Sequence, residues 1–150
     1  MRALALFFAT LAMTAPANAS GAISCRADND ELRMSLEGGV SRGLGSALFS
    51  FAGRIELLGS EVPEDLRVTE FAREHVAQYW LDGDTLKLRL YREREGDKPH
   101  GYVEAIVETS LTDDGDDKGE YLIAIYDMAN PTDSEAETMD FTGSVTCSIE

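Results

Sequence analysis

The chain has 150 residues, 28 acidic and 13 basic, giving a formal charge of −15 at neutral pH, with only two cysteines and two histidines. A field of that sign repels phosphate backbones and anionic headgroups, so it argues against nucleic acid as a partner and favours solubility and encounters with cationic species, a basic protein among them. Two histidines and two cysteines are also too few for a zinc centre or a CxxC redox pair alongside a structural disulfide.

Arg2 opens the chain, residues 3–13 are apolar apart from Thr10, and Pro16 leads into Ala17, Asn18 and Ala19. A cationic start, an apolar middle and small residues before a cut predict a secretory signal over residues 1–19 and one mature domain over 20–150. The apolar run is shorter than the roughly 20 residues that span a bilayer, so no membrane insertion is expected after cleavage. The expected location is the periplasm or the cell exterior. A lipid anchor on Cys25 is not expected, because Ala22, Ile23 and Ser24 lack the leucine that such a signal carries.

Taken in chain order, residues 22–25 predict a short first strand, and Leu32, Met34 and Leu36 alternate with polar residues as a second. Gly38 and Gly39 read as punctuation. Within residues 44–58, Phe51, Gly53, Ile55 and Leu57 predict a third strand, closed by Gly59 and Ser60. Residues 64–78 fit either a loose helical stripe or strand and loop; strand and loop is the expectation, since nothing before the next turn would stop a helix. Residues 76–80 and 85–91 flank Asp82-Gly83 as a hairpin, and Leu86, Leu88 and Leu90 give the second of these strands an inward face. After turn residues 96–99 come residues 102–111 and 120–128, rich in Val, Ile and Tyr, with an acidic loop between them. Asn130 and Pro131 then precede a run from Met139 to Glu150 in which apolar and polar residues alternate throughout. About eight such strands predict an all-β fold, a small antiparallel sandwich or barrel.

The last alternation puts Cys147 on the inward face with Phe141 and Val145. In an oxidising compartment its expected partner is Cys25, a disulfide that would tie the first strand to the last.

Residues 39–43 spell G-x-S-x-G, the pattern that sets a serine on a strand-to-helix elbow. A strand rather than a helix is expected after it, so these residues read as a glycine-rich turn and Ser41 is kept only as an alternative nucleophile. His75 and His100 read as surface histidines. The acidic loop Asp113, Asp114, Asp116 and Asp117 is the best candidate for calcium. With Gly119 as the loop glycine, however, Lys118 and Ile125 fall where oxygen ligands belong, so a solvated hairpin tip is expected and no metal or cofactor is assigned. Lys87, Arg89, Arg92 and Arg94 around Tyr91 form one basic patch, which Glu93 and Glu95 neutralise, and it reads as a solvated strand end. The expected function is therefore an exported, non-catalytic β domain that binds an unidentified protein or ligand through loops 38–46, 96–101 and 129–137. The alternatives are an inhibitor of a cationic wall-degrading enzyme and a small hydrolase using Ser41.

Overall fold

The computed structural model describes residues 20–41, 45–83, 85–109, 117–129 and 138–149. The predicted leader and most of the acidic loop lie outside them. Nine strands follow one another: β1 (Ser20–Asp28), β2 (Leu32–Ser41), β3 (Leu48–Leu57), β4 (Val68–Ala72), β5 (Val76–Asp82), β6 (Thr85–Glu93), β7 (Gly101–Thr109), β8 (Asp117–Asp127) and β9 (Met139–Ile149). They form a single sheet in the order β4-β3-β2-β1-β9-β8-β7-β6-β5, every pairing antiparallel. The all-β expectation holds, and the sheet curls into a nearly closed barrel rather than splitting into a sandwich.

The ninth strand has a physical explanation. Each antiparallel step reverses direction, and β4 and β5 stand at opposite edges of the sheet, an even number of steps apart. They therefore run the same way, although only the 3-10 turn Arg73–His75 separates them. They are the two halves of one long interrupted strand. The first half pairs with β3, from Glu56↔Val68 to Ala52↔Ala72, and the second with β6, from Val76↔Leu90 to Asp82↔Thr85. The wall thus has the even count that an up-and-down antiparallel barrel needs. The interruption is held by the Ala72 amide, which donates to His75 Nδ1 at 2.8 Å, and by the His75 ring edge-on to Phe71.

Because the long strand crosses from one edge to the other, each half leaves a short seam, and side chains bridge both. Arg92 donates to the Glu70 carbonyl across the upper seam. At the lower seam Tyr79 donates its hydroxyl to the Ser46 carbonyl at 2.9 Å, and Arg73 Nε donates to the Leu48 carbonyl at 3.3 Å. Burial pushes the Tyr79 phenol above its ordinary value, so it remains a donor at every physiological pH.

Inside, the predicted apolar positions meet in one cluster: Leu32, Leu36, Ile55, Leu57, Leu86, Leu90, Ile123 and Ile125 are all essentially inaccessible. Burying side chains of this size contributes about 1.5–3 kcal/mol each, which makes the cluster the main source of stability. Two sequence expectations are corrected here. Gly38 and Gly39 do not end a strand but lie within β2, where a register shift at Gly39/Val40 accommodates the bend. The stretch after Pro63 forms a one-turn helix, α1 (Glu64–Arg67), before β4 begins. A single turn with Pro at its cap and acids in its first positions is too short to show a helical stripe. The β5–β6 hairpin forms where expected, with Asp82 paired to Thr85 and Gly83 at φ 58° in the turn.

One glycine inside the barrel is demanded by packing. The ring of Tyr121, 2% exposed, crosses β9 at Gly143, where an added Cβ would stand 2.5 Å from its hydroxyl oxygen. Past Gly143 the Tyr121 hydroxyl accepts from Asn29 Nδ2 at 2.7 Å, while Asn29 Oδ1 accepts the amides of Glu31 and Leu32. The β1–β2 turn is thereby tied to the interior of β8.

Candidate functional site

The two cysteines sit directly opposite one another in the β1–β9 ladder, Cys25↔Cys147, with Cα atoms 4.0 Å apart, and they are bonded. Both are buried, at 1% and 3% exposure, so the disulfide is a strut within the wall. It lies inside the β1–β9 ladder, which has four pairs among the described residues and joins the first strand to the last.

Ser41 closes β2, with its hydroxyl donating to the Ala47 carbonyl at 3.4 Å. Gly39, Val40 and Ser41 belong to a strand, and residues 42–44 lie outside the described residues, so the described part of the motif has no elbow geometry. The histidines serve elsewhere: His75 holds the strand interruption, and His100 joins an aromatic row described below. Of the acidic loop only its end is described, as the start of β8 at Asp117. Among the described residues no three His, Cys, Asp or Glu side chains come together as a metal site. Also among them, no helix is long and apolar enough to cross a membrane.

The basic segment of β6 departs most from expectation. Period two carries the inward face of Leu86, Leu88 and Leu90 on to positions 92 and 94, so Arg92 and Arg94 turn toward the mouth of the barrel while Lys87, Arg89, Tyr91 and Glu93 face out. Arg94, expected in solvent, has a side chain only 4% exposed. Its Nη1 donates to Asp127 Oδ1 and to the Pro99 carbonyl, and its Nε to Asp65 Oδ2, each at 2.7 Å. Lys98 adds a second cation to Asp65 at 3.0 Å. The hydrogen bond to Asp127 is the largest influence on the guanidinium and raises its proton affinity, outweighing the burial that opposes it. This network pins α1 over the mouth, where Val62 and Leu66 plug the interior. Beside it, at the upper seam, lies an open cleft of about 370 Å³ lined by Asp65, Leu66, Glu70, Arg92 and Arg94. Because Arg92 and Arg94 are both engaged by acids and carbonyls, the cleft reads as structural.

Asp65 makes the network pH-sensitive. Burial alone would raise its carboxyl, but hydrogen bonds from Lys98, its own backbone and Arg94 prevail and hold it below the ordinary carboxylate value. A depressed folded pKa contributes stability above the unfolded value of about 3.9 and loses it as pH falls through the folded one. Melting temperatures across the acid range should therefore fall below about pH 4 in the native protein, and more gently in Asp65→Asn.

On the outer wall, four rings from three strands and the loop before β7 touch one another. Tyr91 lies 5.2 Å from Tyr102, Tyr102 stacks on Tyr126 at 5.3 Å and 18°, and His100 leans on Tyr126 at 5.7 Å and on Tyr102 at 6.0 Å. The tyrosines are half-buried and His100 is exposed. Antiparallel pairing explains the contact: Tyr102 is opposite Tyr126, and Glu93, two residues beyond Tyr91, is opposite Tyr102. Tyr91 donates its phenol to Glu93 at 3.0 Å; burial first, and then this bond, raise its pKa and keep it protonated. The sequence carried this signal in the outward parity of each tyrosine, but a row spread over three strands shows only once their register is known.

Of the loops expected to carry recognition, 96–101 supplies His100 to this row, 38–41 is strand, and nearly all of 129–137 lies outside the described residues. No protein-family model matches this chain, and no curated protein or solved structure matches it.

Proposed function

We propose that this is an exported, non-catalytic binding domain whose recognition surface is the outer wall of β6–β8 together with the adjoining loop 94–100. The observation that carries this reading is the row Tyr91, Tyr102, Tyr126 and His100, held on a rigid sheet and accessible from outside. Tyrosines offer large contact area with few rotatable bonds and dominate interface energetics, so a pre-ordered row of them loses little entropy on binding. The disulfide supports the export half of the proposal, since such bonds persist in oxidising compartments.

The test is the double variant Tyr102→Ser/Tyr126→Ser, compared with the native protein for retention of partners from an envelope extract. Melting curves of both establish that each is folded. The variant should lose binding by about tenfold or more, while Ser41→Ala should bind as the native protein does. Undiminished binding by the tyrosine variant would overturn the assignment of the surface. A hydrolytic activity of the native protein that vanishes in Ser41→Ala would overturn the non-catalytic reading.

A further inference from the structure

The two halves of the barrel differ on the outside. On β1–β4 each base has an acid, Arg26 with Glu37, Arg33 with Asp28 and Arg54 with Glu70, at 3.5, 3.7 and 3.1 Å, and of the outward acids only Glu56 is in no ion pair among the described residues. On β6–β9 the outward positions include acids in excess. Lys87 and Arg89 are taken by Glu108 and Glu104. Glu93 accepts from Tyr91, and Glu120, Asp140 and the outward base Lys118 enter no ion pair among the described residues, so five acids face three bases on this wall. The half-buried Ile106 and Leu122 stand among the acids of this rim, and the aromatic row lies at one end of the same face, with Glu93 opposite Tyr102 and Asp140 opposite Ala124, two residues before Tyr126.

Resting on the surface assignment above, we infer that the partner presents a cationic, arginine-bearing protein segment to this wall. Three observations carry it. The whole chain is at −15, so encounter with a basic partner is electrostatically steered. The rim offers carboxylates without partners of their own. The central pair Tyr102 and Tyr126 stacks at 18°, while the outer rings tilt away from it, Tyr91 from Tyr102 at 40° and His100 from Tyr126 at 51°. The tilt leaves outer ring faces on which a planar guanidinium can stack, and Arg uses both ring faces and carboxylates.

Three probes decide the matter: a short arginine–glycine peptide, its lysine counterpart and an uncharged cello-oligosaccharide, each titrated calorimetrically into the native protein and three variants. The arginine peptide should bind best, the lysine peptide several-fold more weakly, and the oligosaccharide not at all. Tyr102→Leu/Tyr126→Leu should weaken the arginine peptide about tenfold. Glu120→Gln/Asp140→Asn should weaken it several-fold at low salt, and Glu37→Gln on the opposite wall should leave it unchanged. Equal losses from Glu37→Gln and the rim variant, or indifference to the tyrosine changes, would show diffuse attraction and overturn the inference. Oligosaccharide binding that depends on the tyrosines, with no peptide binding, would overturn the cationic partner and leave the surface assignment standing. Absence of binding by all three probes overturns the cationic partner, with the surface assignment then judged by the extract experiment.

Discussion

Replacing Cys25 and Cys147 together by alanine lowers the melting temperature by roughly 10–15 °C. The bond closes a loop of 122 residues, for which the chain-entropy model gives about 4–5 kcal/mol and measured cases usually about 2–4. For a domain of this size each kcal/mol shifts melting by about 3–5 °C. The local geometry sharpens the expectation. Among the described residues the β1–β9 ladder has four pairs, and it is where the first and last strands meet, so without the bond this junction is where the wall should open. Alanine avoids burying new hydroxyls in a site that is 1–3% exposed. Thermal melts of the double variant, and of the native protein in reductant, test the point. Curves that superimpose on the oxidised native protein would show that the bond contributes nothing to stability.

Arg94→Leu is the second large loss, about 3–5 kcal/mol in urea denaturation near neutral pH. It removes the Arg94 guanidinium from Asp127, whose side chain is 5% exposed, and releases the Asp65 contact that holds α1 over the mouth. The exposed Arg54–Glu70 pair gives the comparison: Arg54→Leu should cost no more than about 1 kcal/mol. Much of the Arg94 loss should return in Arg94→Leu/Asp127→Leu, because an apolar pair of similar volume removes the buried charge instead of stranding it. A loss for Arg94→Leu no larger than that for Arg54→Leu would show that solvent reaches the network freely.

What the sequence made legible follows from where its signals are local. Alternation around Leu32, Ile55, Leu88 and Val145 fixes which side chains turn inward, because a strand's period of two depends on nothing beyond the strand itself. The same alternation put Cys147 inside and so made its partner legible. The strand number came out as eight because β4 and β5 are one strand interrupted, and an interruption of three residues held by His75 and Ala72 has no sequence signature. Arg94 was misplaced for a different reason. Its charge and its neighbours Glu93 and Glu95 suggested solvent, whereas the pattern of Leu86, Leu88 and Leu90, carried four residues further, pointed it inward. The aromatic row depends on register between strands, and the Tyr121–Gly143–Asn29 contact on barrel closure, neither of which is written in any single segment.

The recognition surface is tested most directly by assigned amide NMR spectra of residues 20–150, labelled with nitrogen-15 and titrated with the arginine–glycine peptide. The account predicts that the largest shifts map to Tyr91, Tyr102, Tyr126, His100 and their immediate neighbours on β6–β8. Shifts spread evenly over the acidic surface, or centred on Ser41 or on the Asp65–Arg94 cleft, would contradict it.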